Sequence, residues 1–183
     1  MFATNVGNFW VWITIATASL SALTLAYIPN LLKTDKPWRH HIIWGLGSAA
    51  GLYAIFYFGD FLTRWLAFQD TQVTSIYGTK SQSSALLIGF LLVFIIGPGE
   101  EIFWRGFVQN RMSQVWGGWR GYMFAGLLYG AVHIPSMNFM LIAAAVICGF
   151  YWGLLYKITG SIIPGIISHA VWDLSIFVVF PLR

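Results

Sequence analysis

The chain reads as long apolar runs separated by short polar breaks. Six apolar stretches stand out, at roughly Phe9–Leu32, Ile42–Leu62, Ser84–Val108, Trp119–Ile134, Phe139–Tyr156 and Ile162–Phe180. Each approaches the ~17–25 residues that carry a helix across ~30 Å of hydrocarbon. The pattern predicts an all-α fold, a polytopic transmembrane bundle of about six spans forming a single integral membrane domain over residues 1–183. The fourth stretch is short and glycine-rich and is expected inside the bundle instead of against lipid. The first run is too long for the apolar region of a signal peptide and lacks a Lys/Arg-rich start, so it is expected to be retained as a span.

The breaks have their own chemistry. Pro29 and the run Lys33-Thr34-Asp35-Lys36-Pro37 end the first span with charge and with a residue that cannot donate to a helix ladder. Gly117-Gly118, Pro135-Ser136 and Thr159-Gly160-Ser161 read as tight turns. The stretch from Arg64 to Ser83 is the longest polar segment and is too short for a second domain.

Composition narrows the class further. Of the 183 residues 58% are hydrophobic and 9% charged, against about 25% charged in a soluble domain. A soluble fold of this size could not bury so much apolar surface. The formal charge of +4 therefore reports membrane orientation instead of nucleic acid binding. With the N-terminus outside, Lys33, Lys36, Arg39, Arg111, Arg120 and Lys157 all fall at cytoplasmic ends, and Arg64, Lys80 and Arg183 on the other side. The positive-inside rule favours this orientation, with both termini outside the cell membrane. The one cysteine, Cys148, excludes an internal disulfide and a cysteine-based zinc site.

Ionisable residues within spans cost at least about 2.5–3.5 kcal/mol each on insertion scales and so mark candidate sites. Here they fall in three places: Glu100, Glu101 and Arg105 in the third span, His133 in the fourth, and His169 and Asp173 in the sixth. Glu101 and Arg105 are four apart and can pair, as can His169 and Asp173. Glu100 is rotated by about 100° from Glu101 and points elsewhere. At ~1.5 Å per residue, Glu100, His133, His169 and Asp173 all lie roughly 12–20 Å from the cytoplasmic ends of their helices. That shared depth predicts one polar site. Gly97-Pro98-Gly99 is expected to kink or break the third helix just before the glutamates, leaving them at the start of a second helical half with water close by. His40 and His41 are expected at the interface, Asp60 and Arg64 as an interfacial pair, and Asn138 as a cap or turn residue. Trp104 and Trp172 are candidates to line the pocket because they neighbour these residues.

These residues resemble the motifs of the CAAX-protease and bacteriocin-processing (Rce1-like) intramembrane proteases. Glu100-Glu101-Ile102-Phe103-Trp104-Arg105-Gly106 is similar to the family's Glu-Glu-x-x-x-Arg motif. Tyr129-Gly130-Ala131-Val132-His133 is similar to its Phe-x-x-x-His, with Tyr129 in place of Phe. His169-Ala170-Val171-Trp172-Asp173 is similar to its His-x-x-x-Asn or Asp. The resemblance covers about the last hundred residues. It implies an Rce1-like core and intramembrane hydrolysis of a peptide bond in a membrane-embedded or lipid-modified peptide. Carried over, Glu100 would activate water, His133 and His169 would hold that water or stabilise the oxyanion, and Asp173 would complete the site. Glu101, Arg105 and Tyr129 would support it. Cofactor use stays open: metal-free chemistry is preferred, and a divalent metal such as zinc, if used, would be held by Glu100, His133 and His169. Two other readings fit the same residues, an acyl transferase acting on membrane lipids or lipoproteins, and a non-catalytic accessory or immunity protein.

Overall fold

A computed structural model describes residues 7–182. Arg183, counted above on the outer side, lies outside the described residues. Among those residues the fold is all-helical, with no strand. Helix α1 (Phe9–Tyr27) starts where the Asn8 side chain accepts hydrogen bonds from the N–H groups of Trp10 and Val11, and it stops ahead of Pro29. Helix α2 (Trp38–Thr63) begins directly after Pro37. A short helix, α3 (Gln69–Gly78), occupies the polar segment. Helix α4 (Ala85–Trp116) is capped by Ser84 and runs for 32 residues. Helix α5 (Gly118–Ala131) is followed by α6 (Phe139–Thr159), which Asn138 caps through the Leu141 N–H. Gly160, at a φ of +65° that favours glycine, turns the chain into α7 (Ile163–Val179).

All six apolar stretches become helices, but only α1, α2, α4 and α6 are long and apolar enough to cross a membrane. Helix α5, with 14 residues, rises about 21 Å, short of the hydrocarbon thickness. It is also not enclosed by the bundle as its glycines suggested. Met123, Phe124 and Leu127 face outward, while Gly121, Gly126 and Gly130 face α4 and α6. Glycine here shortens the distance between helices instead of marking a buried helix. His41, expected at the interface, is buried in the first turns of α2.

Of the kink or break expected at Pro98, the break is absent. The helix widens instead: Leu92–Ile96 has π geometry, and the Gly97 N–H bonds the Leu92 carbonyl five residues back. A second π stretch follows at Ile102–Gln109. Such wide turns redistribute the hydrogen bonds that a proline removes, so Glu100 and Glu101 sit within a continuous helix and not at a free N-terminus.

The bundle has two chemically distinct ends. At one, Lys36 Nζ donates to the Thr159 carbonyl and Lys157 Nζ lies 4.4 Å from the Trp119 ring. At the other, α3 is tied to the bundle. Trp10 Nε1 donates to the Thr79 carbonyl, Asn138 Nδ2 to the Gln72 carbonyl, and the Tyr77 hydroxyl to the Ile176 carbonyl. The core between the ends packs Leu52, Tyr129, Cys148, Trp152 and Trp172 together, with Trp10, Ile88, Leu92 and Ile96 beside them.

Candidate active site

Two layers of polar side chains meet in the core. The inner layer is fully buried. Glu101 is 0% and Arg105 2% exposed. Arg105 Nη1 donates to Glu101 Oε1 at 2.8 Å, and Nη2 donates to the Cys148 and Gly149 carbonyls at 3.1 and 3.2 Å. The guanidinium also lies 4.9 Å from the Tyr129 ring and 5.6 Å from the Trp152 ring. The expected pair thus forms, and its cation is further spent on holding α4 to α6.

The same Glu101 oxygen accepts from His169 Nδ1 at 3.0 Å. A carboxylate can only accept, so Nδ1 carries the proton and the ring orientation is fixed. The ring stacks on Trp152 at 3.7 Å, and its Nε2 faces Asp173 Oδ2 at 3.5 Å. Trp152 is in turn held through Nε1 by Ser168 Oγ, which reaches Ser48 Oγ. Helices α2, α4, α6 and α7 therefore all fix the position of one imidazole.

The outer layer faces a cavity of about 360 Å³ lined by Glu100, Tyr129, His133, His169, Trp172 and Asp173, among others. The Tyr129 hydroxyl donates to Glu100 Oε2 at 2.5 Å. The Tyr129 carbonyl accepts from His133 Nδ1 at 2.9 Å, which places the lone pair of the neutral ring on Nε2. His133 lies just beyond the last residue of α5, not within the helix. The four residues singled out for chemistry, Glu100, His133, His169 and Asp173, thus share one cavity; Glu101 and Arg105 do not line it. Trp172 lines it and Trp104 packs on Tyr129 instead.

No three His, Cys, Asp or Glu among the described residues are arranged to hold a metal ion. Both ring nitrogens of His169 already face carboxylates, so the trio Glu100, His133 and His169 does not form a ligand set here. Sequence reasoning also overlooked Trp152, Ser168 and the α6 carbonyls. A signal for them existed in Gly126-x-x-x-Gly130 and Gly149-x-x-x-Gly153, the small-residue spacing of close helix packing. A Cβ on Gly149 would come within 2.8 Å of the Gly126 carbonyl oxygen.

The family model described as type II CAAX prenyl endopeptidase Rce1-like matches residues 82–175, which contain all three motifs. A curated relative, an uncharacterized 24.3 kDa protein of Escherichia coli, is 27% identical over 150 residues, covering 79% of this chain and 64% of its own. The chain therefore spans less than two thirds of that relative's length. No solved structure matches.

Proposed function

The chain belongs to the Rce1-like family of type II CAAX prenyl endopeptidases, and on that premise we propose that it is an intramembrane endopeptidase hydrolysing a peptide bond of a membrane-associated or lipid-modified peptide. The observation that carries this reading is that Glu100 of α4, His133 in the turn after α5, and His169 and Asp173 of α7 all line one cavity in the bundle.

Glu100 takes a proton from a water molecule as the water oxygen attacks the scissile carbonyl carbon, and returns it to the leaving amine when the tetrahedral intermediate collapses. His133, its Nδ1 proton held by the Tyr129 carbonyl, offers Nε2 as an acceptor that orients the attacking water. His169, flanked by Glu101 and Asp173, supplies positive charge to the developing oxyanion in its doubly protonated form. Asp173 balances that charge, and the Glu101–Arg105 pair keeps the ring from turning. No step runs through a metal. Nothing in the fold or the comparisons favours acyl transfer or an accessory role.

The test is Glu100→Gln in the purified full chain, with cleavage of a membrane peptide followed by mass spectrometry. Loss of a general base lowers turnover by roughly 10²–10⁴-fold, with the protein accumulating and running monodisperse as before. Turnover within threefold of the parent would remove Glu100 from the chemistry. Dialysis against a chelator, assayed in the same way, is expected to leave the rate unchanged, since the candidate ligand set does not assemble.

A further inference from the structure

The cavity does not lie symmetrically about the reacting groups. Along α7, His169 is six residues above Ile163 and ten below Val179, roughly 9 and 15 Å. Along α6, Trp152, stacked on His169, is seven residues from Thr159 and thirteen from Phe139, roughly 10 and 20 Å. The basic end of the bundle is thus the nearer one. The cavity nevertheless runs the longer way. It is lined by the first turns of α1, the last turns of α2, the first halves of α4 and α6, the last turns of α7, and by Gln69, Val73, Ile76 and Tyr77 of α3.

On the short side α4 and α6 are held together by hydrogen bonds. Arg105 donates to the Cys148 and Gly149 carbonyls beside the site, and Gln109 Nε2, one turn further along α4, to the Gly153 carbonyl at 2.8 Å, pinning α4 to α6. No residue of the basic loops lines the cavity. The cavity is thus a passage that ends under α3. Its wall is mostly apolar, with Ile13, Phe56, Val73, Ile96, Ala144 and Phe177, while Asp60, Thr63, Gln69 and Thr79 add polar atoms at the α3 end.

From this we infer that the substrate reaches Glu100 from the α3 end, as an apolar peptide segment presented on the non-cytoplasmic side of the membrane. The side follows from Lys33, Lys36, Arg39, Arg111, Arg120 and Lys157 all belonging to the opposite end. A mostly apolar wall favours an apolar segment, and Asp60 at its α3 end leaves a small cation able to enter. The inference rests on the peptidase reading for what is cut, but the passage can be tested without any activity.

Cys148 lines the cavity and is the only cysteine, which makes it a natural reporter. Intact cells and inside-out vesicles carrying the full chain are treated with a cationic, membrane-impermeant methanethiosulfonate. Ala144→Cys in a Cys148→Ser background serves as a second, less buried reporter in the passage, and Lys33→Cys in the same background marks the basic end. The expected result is modification of Cys148 or the Ala144→Cys variant in intact cells, and of Lys33→Cys only in inside-out vesicles. Modification of both cavity reporters only from the inner face, or of neither from either face, overturns the inference. In a second arm, a peptide with an uncharged apolar segment is cut at least tenfold faster when added to right-side-out than to inside-out vesicles; equal rates or the reverse preference overturn it. Outer-face labelling with no peptide cut from either side leaves the passage standing and removes the peptidase reading.

Discussion

At the scale of single residues, Tyr129 decides how well the site is held. Its hydroxyl donates to Glu100 and its carbonyl fixes His133, so one side chain and its own backbone orient two reacting groups. Tyr129→Phe keeps the ring against Arg105 and Trp104 and keeps the carbonyl, and removes only the bond to Glu100. A hydrogen bond to a charged group contributes about 1.5–3 kcal/mol, which corresponds to a fall in kcat of roughly 10–100-fold. KM is expected to be unchanged, because the substrate makes no use of that hydroxyl; a change confined to KM in steady-state kinetics would contradict the positioning role. Arg105 predicts a different outcome. Breaking a buried pair by removing one partner costs about 3–5 kcal/mol, and here two carbonyls lose their donor as well. Arg105→Ala should therefore lower the thermal midpoint in detergent sharply, whatever it does to turnover, and Arg105→Lys should rescue little because one ammonium cannot reach Glu101 and both carbonyls in the same fork geometry. The pairing itself was legible in the spacing of Glu101 and Arg105. The sharing of Glu101 between Arg105 and His169 was not, because it depends on the rotation of α7 against α4, which periodicity along one helix does not contain.

At the scale of elements, close approach governs what the sequence could and could not show. Gly165 in α7 faces Glu101, and a Cβ there would lie 2.6 Å from Oε2. That oxygen belongs to a carboxylate already fixed by Arg105 and His169, so it has little room to retreat. Gly165→Ala is expected to push α7 from α4, misplace His169 and reduce both accumulation and turnover; a variant that assembles and cuts at the parental rate would show that the carboxylate can turn away. Apolar run length was enough to find α1, α2, α4, α5, α6 and α7. It was not enough to find α3, whose sequence Gln69–Gly78 is polar and carries no apolar stripe; this helix is held by hydrogen bonds to Asn138 and Ile176, and Thr79 directly after it by one from Trp10, all far away in the chain. Nor could the rule that proline breaks a helix anticipate α4. The rule assumes i to i+4 bonding, and the π stretch before Pro98 replaces that pattern with one that tolerates the missing donor.

At the scale of the whole molecule, the family match and the structure divide the chain differently. The match begins at residue 82 and leaves out α1 and α2, yet the core does not respect that boundary. Trp10 of α1 packs with Ile88, Leu92 and Ile96, and Leu52 of α2, with no exposed surface, packs in the cluster of Trp152 and Trp172. Gly99, one residue before Glu100, packs so closely on α1 that a Cβ there would stand 3.2 Å from Thr17 and 3.3 Å from Ser21, and Ser48 of α2 completes the chain of hydroxyls behind Trp152. Helices outside the matched region therefore position the matched motifs. A chain beginning at residue 82 keeps every candidate catalytic residue and loses α1, α2 and α3, three of the elements that line the cavity, along with their packing on α4 and α7. It is expected to fall well below the full chain in membrane abundance on an immunoblot and to show no cleavage, whereas co-expression of residues 1–81 restores both by supplying the missing helices in trans. A fragment that accumulates and cleaves by itself would mean that the motifs need only each other, and that α1 and α2 serve another purpose than holding the site.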